Sequence, residues 1–98
     1  MTRIDAIRKL SKNAGAVKSM GATALYLFGS TVRDEADMSS DLDLFIDYDP
    51  SKRFSLIDLI SIKQFLEDDL AIEVDVTTRS SLHPMLRDSI EHSAVRIF

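Results

Sequence analysis

The sequence predicts an α+β domain of the broad α/β class, a small mixed β-sheet covered by helices. Three observations predict it. Residues 2–20 place apolar side chains at helical spacing, residues 24–28, 41–47 and 72–76 read as short strands, and a second helical stretch opens at Ser55. With 98 residues and no repeat, linker or low-complexity stretch, residues 1–98 are expected to form one domain with a single core.

The first element is an amphipathic helix. Ile4, Ile7, Leu10, Ala14 and Val17 define its core face, while Arg3, Arg8, Lys9, Lys12 and Lys18 mostly lie elsewhere. Thr2 can cap its start and Gly21 its end, and Gly15 argues against an unbroken helix. The strand at 24–28 is apolar throughout, which suits coverage on both faces. Residues 31–36 then make a short helix or turn with Ser30 as its N-cap, aiming backbone N–H groups at an approaching anion.

Asp41 and Asp43 follow at alternate positions of the next strand. Alternation puts Asp41, Asp43, Phe45 and Asp47 on one side and Leu42, Leu44 and Ile46 on the other. Two carboxylates leaving one face repel each other unless a cation or proton lies between them, so the pair suggests a divalent metal site. A solvated acidic face is the alternative. Gly29-Ser30 after an apolar strand likewise reads either as a turn or as a backbone that can approach a phosphate closely. Arg33 either contacts that phosphate or pairs with Asp34, Glu35 or Asp37.

Residues 48–51 form a turn. Ser55, with Asp58 three residues on, has the pattern of a reciprocal cap, and Phe54 can staple against Leu59. The helix that follows is expected to face the core with Leu56, Leu59, Ile60, Phe65 and Leu66 and to end near Asp69. In the strand at 72–76, Ile72, Val74 and Val76 alternate with Glu73 and Asp75; beside the 41–47 strand, Asp75 would land on the side of the aspartate pair. A last helix is expected near His83-Pro84, with Leu82, Leu86 and Ile90 as its packed face. Neither His83 nor His92 has the company of a metal or catalytic histidine. Val95, Ile97 and Phe98 add an edge strand or dock on the core.

Composition narrows the function. A hydrophobic content of 45% with 29% charged residues is that of a soluble folded protein. The absence of cysteine excludes disulfides and a thiolate zinc site. No apolar run approaches the roughly 20 residues that span a bilayer, and the first residues lack a signal-peptide core, so a cytoplasmic location without membrane contact is expected. The formal charge of −4 argues against direct binding to nucleic acid and suits a basic partner.

Gly29-Ser30, Arg33 and Ser40-Asp41-Leu42-Asp43-Leu44 together resemble the signature of the nucleotidyltransferase superfamily typified by DNA polymerase beta, and most closely its minimal, MNT-type members. The resemblance extends over nearly the whole chain. It implies a polymerase beta-like nucleotidyltransferase fold in which Asp41, Asp43 and Asp75 are catalytic and hold two Mg2+ ions, for which Mn2+ can substitute. It implies phosphate contacts from Gly29, Ser30 and Arg33, with ATP as donor. It further implies an antitoxin that attaches AMP to a tyrosine of a partner HEPN-type toxin. Many relatives carry Gly after the arginine, where this chain has Asp34. Neutralisation by binding alone, or transfer to a small molecule or an RNA end, stays open at this point, as does self-association.

Overall fold

A computed structural model describes residues 2–29, 32 and 42–98. The expected helix or turn at 31–36, except for Val32, therefore lies outside the described residues. Four strands among the described residues form one mixed sheet in the order β3-β2-β1-β4. They are β1 (Ala22–Phe28), β2 (Leu42–Tyr48), β3 (Val74–Thr78) and β4 (Val95–Arg96). β1 runs antiparallel to both β2 and β4, whereas β2 and β3 are parallel. The helix between β2 and β3 is the crossover a parallel pair requires.

The leading helical stretch is two helices, α1 (Arg3–Lys12) and α2 (Ala14–Ser19). Thr2 caps α1 as expected, its hydroxyl accepting from the Asp5 N–H. The break falls at Asn13, two residues before Gly15. The Asn13 side-chain amide donates to Lys9 O and to Asp69 Oδ2, both at 2.9 Å, so the junction is tied to the far end of the third helix. Gly21 follows α2 in the left-handed region at φ 113°. Ala6, Leu10 and Val17 are buried, but Ile4, at the second position of α1, is exposed. Nothing lies within 4 Å of a Cβ built on Gly15. Gly15→Ala is therefore expected to stabilise the chain by about 0.5–1 kcal/mol, measurable as a rise in Tm.

Leu25 and Leu27 of β1, Leu42, Leu44 and Ile46 of β2, and Val74 and Val76 of β3 face the helices and form the core. A bulge between Ala22 and Ala24 shifts the phase of β1 and lets Ala22 join the same face. The β1 expectation of cover on both faces holds only in part, since Tyr26 and Phe28 are half-buried. Of the two expectations for the C-terminus both hold: β4 is a short edge strand whose pairing continues as Ile97 N–H donates to Leu25 O at 2.8 Å, and Ile97 and Phe98 pack against the core.

The turn after β2 is held by Asp49, whose carboxylate accepts from the Ser51 N–H at 2.9 Å and the Ser51 hydroxyl at 2.7 Å. The third helix, α3 (Leu56–Leu70), opens with the expected reciprocal cap between Ser55 and Asp58. Its core stripe is not the one the spacing suggests. Ile62, Leu66 and Leu70 are buried and Leu59 and Phe65 flank them, while Leu56, Ile57 and Ile60 are 70%, 74% and 52% exposed. So much of the helix circumference is apolar that periodicity alone does not fix which stripe meets the sheet.

The C-terminal helix also departs from expectation. His83-Pro84 open a turn in which Leu86 N–H donates to His83 O, and His83 Nδ1 accepts from the Met85 N–H. The helix, α4, spans Arg87–Ser93. Leu82 is buried and Ile90 half-buried, but Leu86 is exposed because it precedes the helix instead of lying on its face. Among the described residues no helix is long and apolar enough to cross a membrane.

Candidate active site

The second face of the sheet, away from the core, carries the site. Alternation along β2 gives this face Asp43, Phe45 and Asp47. β1 adds Phe28 opposite Asp43 and Tyr26 opposite Phe45. β3 adds Asp75, which pairs in register with Asp43, and Thr77, which pairs with Phe45. In-register neighbours on parallel strands stand about 4.8 Å apart and project to one side, so the Asp43 and Asp75 carboxylates rise together. Asp75 is exposed and Asp43 half-buried. β3 begins two residues later than the sequence suggests, at Val74, but the phase of its alternation is the expected one.

Gly29 closes this end of the sheet. It has φ 83°, which an L side chain rarely adopts, and a Cβ built on it would collide with Asp43 Oδ2. The missing side chain thus makes room for the Asp43 carboxylate. Of the residues expected to act, Gly29, Asp43 and Asp75 meet at one end of one face. Ser30, Arg33 and Asp41 lie outside the described residues.

The rest of this face is built from aromatic rings and one arginine. Phe45 is fully buried, stacked on Tyr26 at 4.6 Å between ring centroids and tilted against Phe28 at 5.7 Å. Arg79 spreads its guanidinium over Tyr26 and Phe45, at 4.8 and 5.1 Å from the centroids. It holds Asp47 through two bonds, Nε to Oδ1 at 2.8 Å and Nη2 to Oδ2 at 3.0 Å. These bonds raise the Arg79 pKa further above its ordinary value, against the opposing effect of burial. Glu91 lies 3.5 Å from Arg79 and 3.1 Å from Arg87, which ties α4 to this end of the face.

Sequence reasoning gave Arg79 no role. The signal was its phase: continuing the β3 register past Asp75 and Thr77 brings residue 79 level with Asp47. Arg79→Ala is expected to destabilise the fold by about 2 kcal/mol, measured by denaturant unfolding; the value is below that of a fully buried pair because the two side chains remain 29% and 33% exposed. Arg79→Lys should recover only part of this, since an ammonium cannot make the planar two-bond contact. A cleft of about 210 Å³ beside the pair is lined by Asp47, Thr78, Arg79, Ser80 and Arg87 among others. It lies at the opposite end of β2 and β3 from Asp43 and Asp75. Both of its arginines are engaged by carboxylates, so it presents little free positive charge.

The Nucleotidyltransferase domain family matches residues 9–97. The chain belongs to the nucleotidyltransferase family. A protein of Methanocaldococcus jannaschii named as a protein adenylyltransferase is 40% identical over 77 residues, which cover 79% of this chain and 81% of the relative. The protein adenylyltransferase MntA of Thermococcus cleftensis is 31% identical over 77 residues, 79% of this chain and 76% of its own. A solved structure described as a minimal nucleotidyltransferase superposes with a TM-score of 0.80 at 29% identity, covering 97% of this chain and 95% of that one. A tri-AMPylated Shewanella oneidensis HEPN toxin in complex with MNT antitoxin gives a TM-score of 0.64 at 16% identity, over 90% and 68% of the two chains, a likeness of fold.

The fold expected from the resemblance is therefore the observed one, and the chain is a nucleotidyltransferase. In this nucleotidyltransferase Asp43 and Asp75 supply adjacent hard oxygen donors on a shared face, and Gly29 leaves a space that a side chain would fill. The chemistry of that donor pair fits a magnesium-sized cation; among the described residues no third acidic or histidine group joins it.

Proposed function

We propose that this nucleotidyltransferase moves AMP from ATP to a tyrosine hydroxyl of a HEPN-type toxin and thereby acts as its antitoxin. The observation that carries the reading is the in-register pairing of Asp43 with Asp75 beside the side-chain-free Gly29. The adenylyltransferase names of the relatives support AMP as the transferred group, and the AMPylated HEPN toxin held by an MNT antitoxin supports the partner.

Asp41, Asp43 and Asp75 are the proposed ligands of Mg2+, with Asp41 assigned by its two-residue spacing from Asp43 in the sequence. Magnesium, when bound, supplies Lewis-acid neutralisation of triphosphate charge. The bare Cα of Gly29 lets the polyphosphate approach the backbone, and Ser30 and Arg33 are the proposed further phosphate contacts. Asp75, the exposed member of the pair, accepts the proton of the incoming hydroxyl. The hydroxyl oxygen bonds to the α-phosphorus, the bond from that phosphorus to its bridging oxygen breaks, and pyrophosphate leaves.

The test is incubation of the chain with α-labelled ATP, Mg2+ and a HEPN-type protein from its genomic neighbourhood. Covalent label on the partner, lost when the acceptor tyrosine is changed to Phe, is the expected result. A stable complex without label would instead mean neutralisation by binding alone, and label on a small molecule or RNA end would reassign the acceptor.

A further inference from the structure

We infer that Lys63 and Glu67 clamp the outer edge of β3 and thereby position Asp75 opposite Asp43, setting the affinity of the site for its divalent cation. The inference rests on the reading of Asp75 as a metal ligand. Among the described residues β3 is an edge strand, paired with β2 on one side only. Its outer edge presents the N–H and C=O of Val74, and one turn of α3 grips both groups. Glu67 Oε2 accepts from the Val74 N–H at 3.0 Å, and Lys63 Nζ donates to Val74 O at 2.9 Å. The two side chains close the ring through a 2.9 Å bond between Lys63 Nζ and Glu67 Oε2.

The place of this grip distinguishes it from general edge protection, which would serve anywhere along the strand. Val74 immediately precedes Asp75, and its own partner across the ladder is Leu42, the neighbour of Asp43. The clamp thus acts at the first residue of β3, where the strand would otherwise be held from one side. The buried Val74 side chain fixes the strand's height over the core, and the clamp fixes its lateral position. Lys63 and Glu67 are positioning residues: they act on the carboxylate through the backbone, and Lys63 adds a direct charge attraction to Asp75.

Electrostatics keeps the clamp charged across the working range. The Lys63 hydrogen bond, followed by that from Val74 N–H, holds the Glu67 carboxyl below its ordinary pKa, and Glu67 holds the Lys63 ammonium above its own. The depressed carboxyl contributes stability above the ordinary glutamate range, lost as pH falls through its lowered value. The raised ammonium contributes below the ordinary lysine range and is lost only as pH rises through its raised value.

Mn2+ alone, titrated into the protein and followed by electron paramagnetic resonance of the free ion, tests the inference without requiring turnover. Glu67→Ala is expected to weaken Mn2+ binding about tenfold, the lower end of what groups supporting a metal ligand contribute, and to speed hydrogen exchange at the Val74 amide. Glu67→Gln should lose less, because its amide oxygen still accepts from Val74. Wild-type Mn2+ affinity in a folded Glu67→Ala variant would overturn the inference. If circular dichroism shows that Glu67→Ala does not fold, Lys63→Met carries the same expectation with Lys63→Arg as rescue, and unchanged binding in Lys63→Met has the same negative meaning. Asp75→Asn separates the two levels. Unchanged Mn2+ binding there removes the underlying reading, whereas lost binding in Asp75→Asn with normal binding in Glu67→Ala removes only the clamp.

Discussion

Asp43→Ala is expected to lower Mg2+-dependent AMP transfer by about 10³-fold or more, equivalent to roughly 4 kcal/mol of transition-state stabilisation, while the chain stays folded. The separation follows from the two faces of β2. Leu42, Leu44 and Ile46, on the face that holds the strand in the core, are at most 1% exposed, and none of them is touched by the substitution. Asp43 rises on the other face, level with Asp75. Because the core face of β2 is untouched, Tm should stay within about 5 °C of wild type. The check is labelled transfer at saturating Mg2+ alongside thermal unfolding. Full transfer by a folded variant would falsify the assignment of Asp43; Asp43→Asn, which keeps the shape and removes the charge, should be equally inactive.

The parts of the fold legible in the sequence were those written in local patterns. The Ser55–Asp58 cap needs four consecutive residues, and the alternation of Leu42, Leu44 and Ile46 against Asp43 and Asp47 needs six. The phase of Asp75 relative to Asp43 was legible once β3 was placed beside β2, because parallel pairing preserves facing. What was not legible depended on where elements meet. In α3 the spacing points to Leu56 and Ile60, which are exposed, and not to the fully buried Ile62. An apolar run tells a helix that it must be covered, not by how much sheet.

Polar contacts between elements were hidden for a related reason. Arg79 finds Asp47 across 32 positions of sequence, and Glu67 finds the Val74 backbone because the chain reverses direction between α3 and the edge strand β3. Neither pairing has a local signature. Arg79 is placed by the strand register and Glu67 by the packing of α3 on the edge of β3. The aromatic layer of Tyr26, Phe28 and Phe45 belongs here too: its residues look like ordinary strand formers, yet they separate the Arg79 end of the face from the acidic end.

Gly29→Ala is the second substitution with a large expected effect, and its cost has two separable causes. The backbone at φ 83° disfavours any L side chain, a strain of about 1–2 kcal/mol. The new methyl group would also overlap Asp43 Oδ2 and press on Asp43 Cγ and Cβ at 3.3 and 3.4 Å, forcing the carboxylate aside. A displacement on the order of 1 Å at a reacting site costs about 10²-fold in rate, so transfer should fall by about that factor. Stability should fall by about 1–3 kcal/mol, read from denaturant unfolding. A double-mutant cycle with Asp43→Ala divides the two causes. Shortening residue 43 removes the overlap but leaves the backbone strain, so Gly29→Ala should cost about 1 kcal/mol less stability in the Asp43→Ala background than in wild type. Simple additivity would mean that the glycine is required by its backbone conformation alone, and that the close approach of Asp43 has no energetic weight.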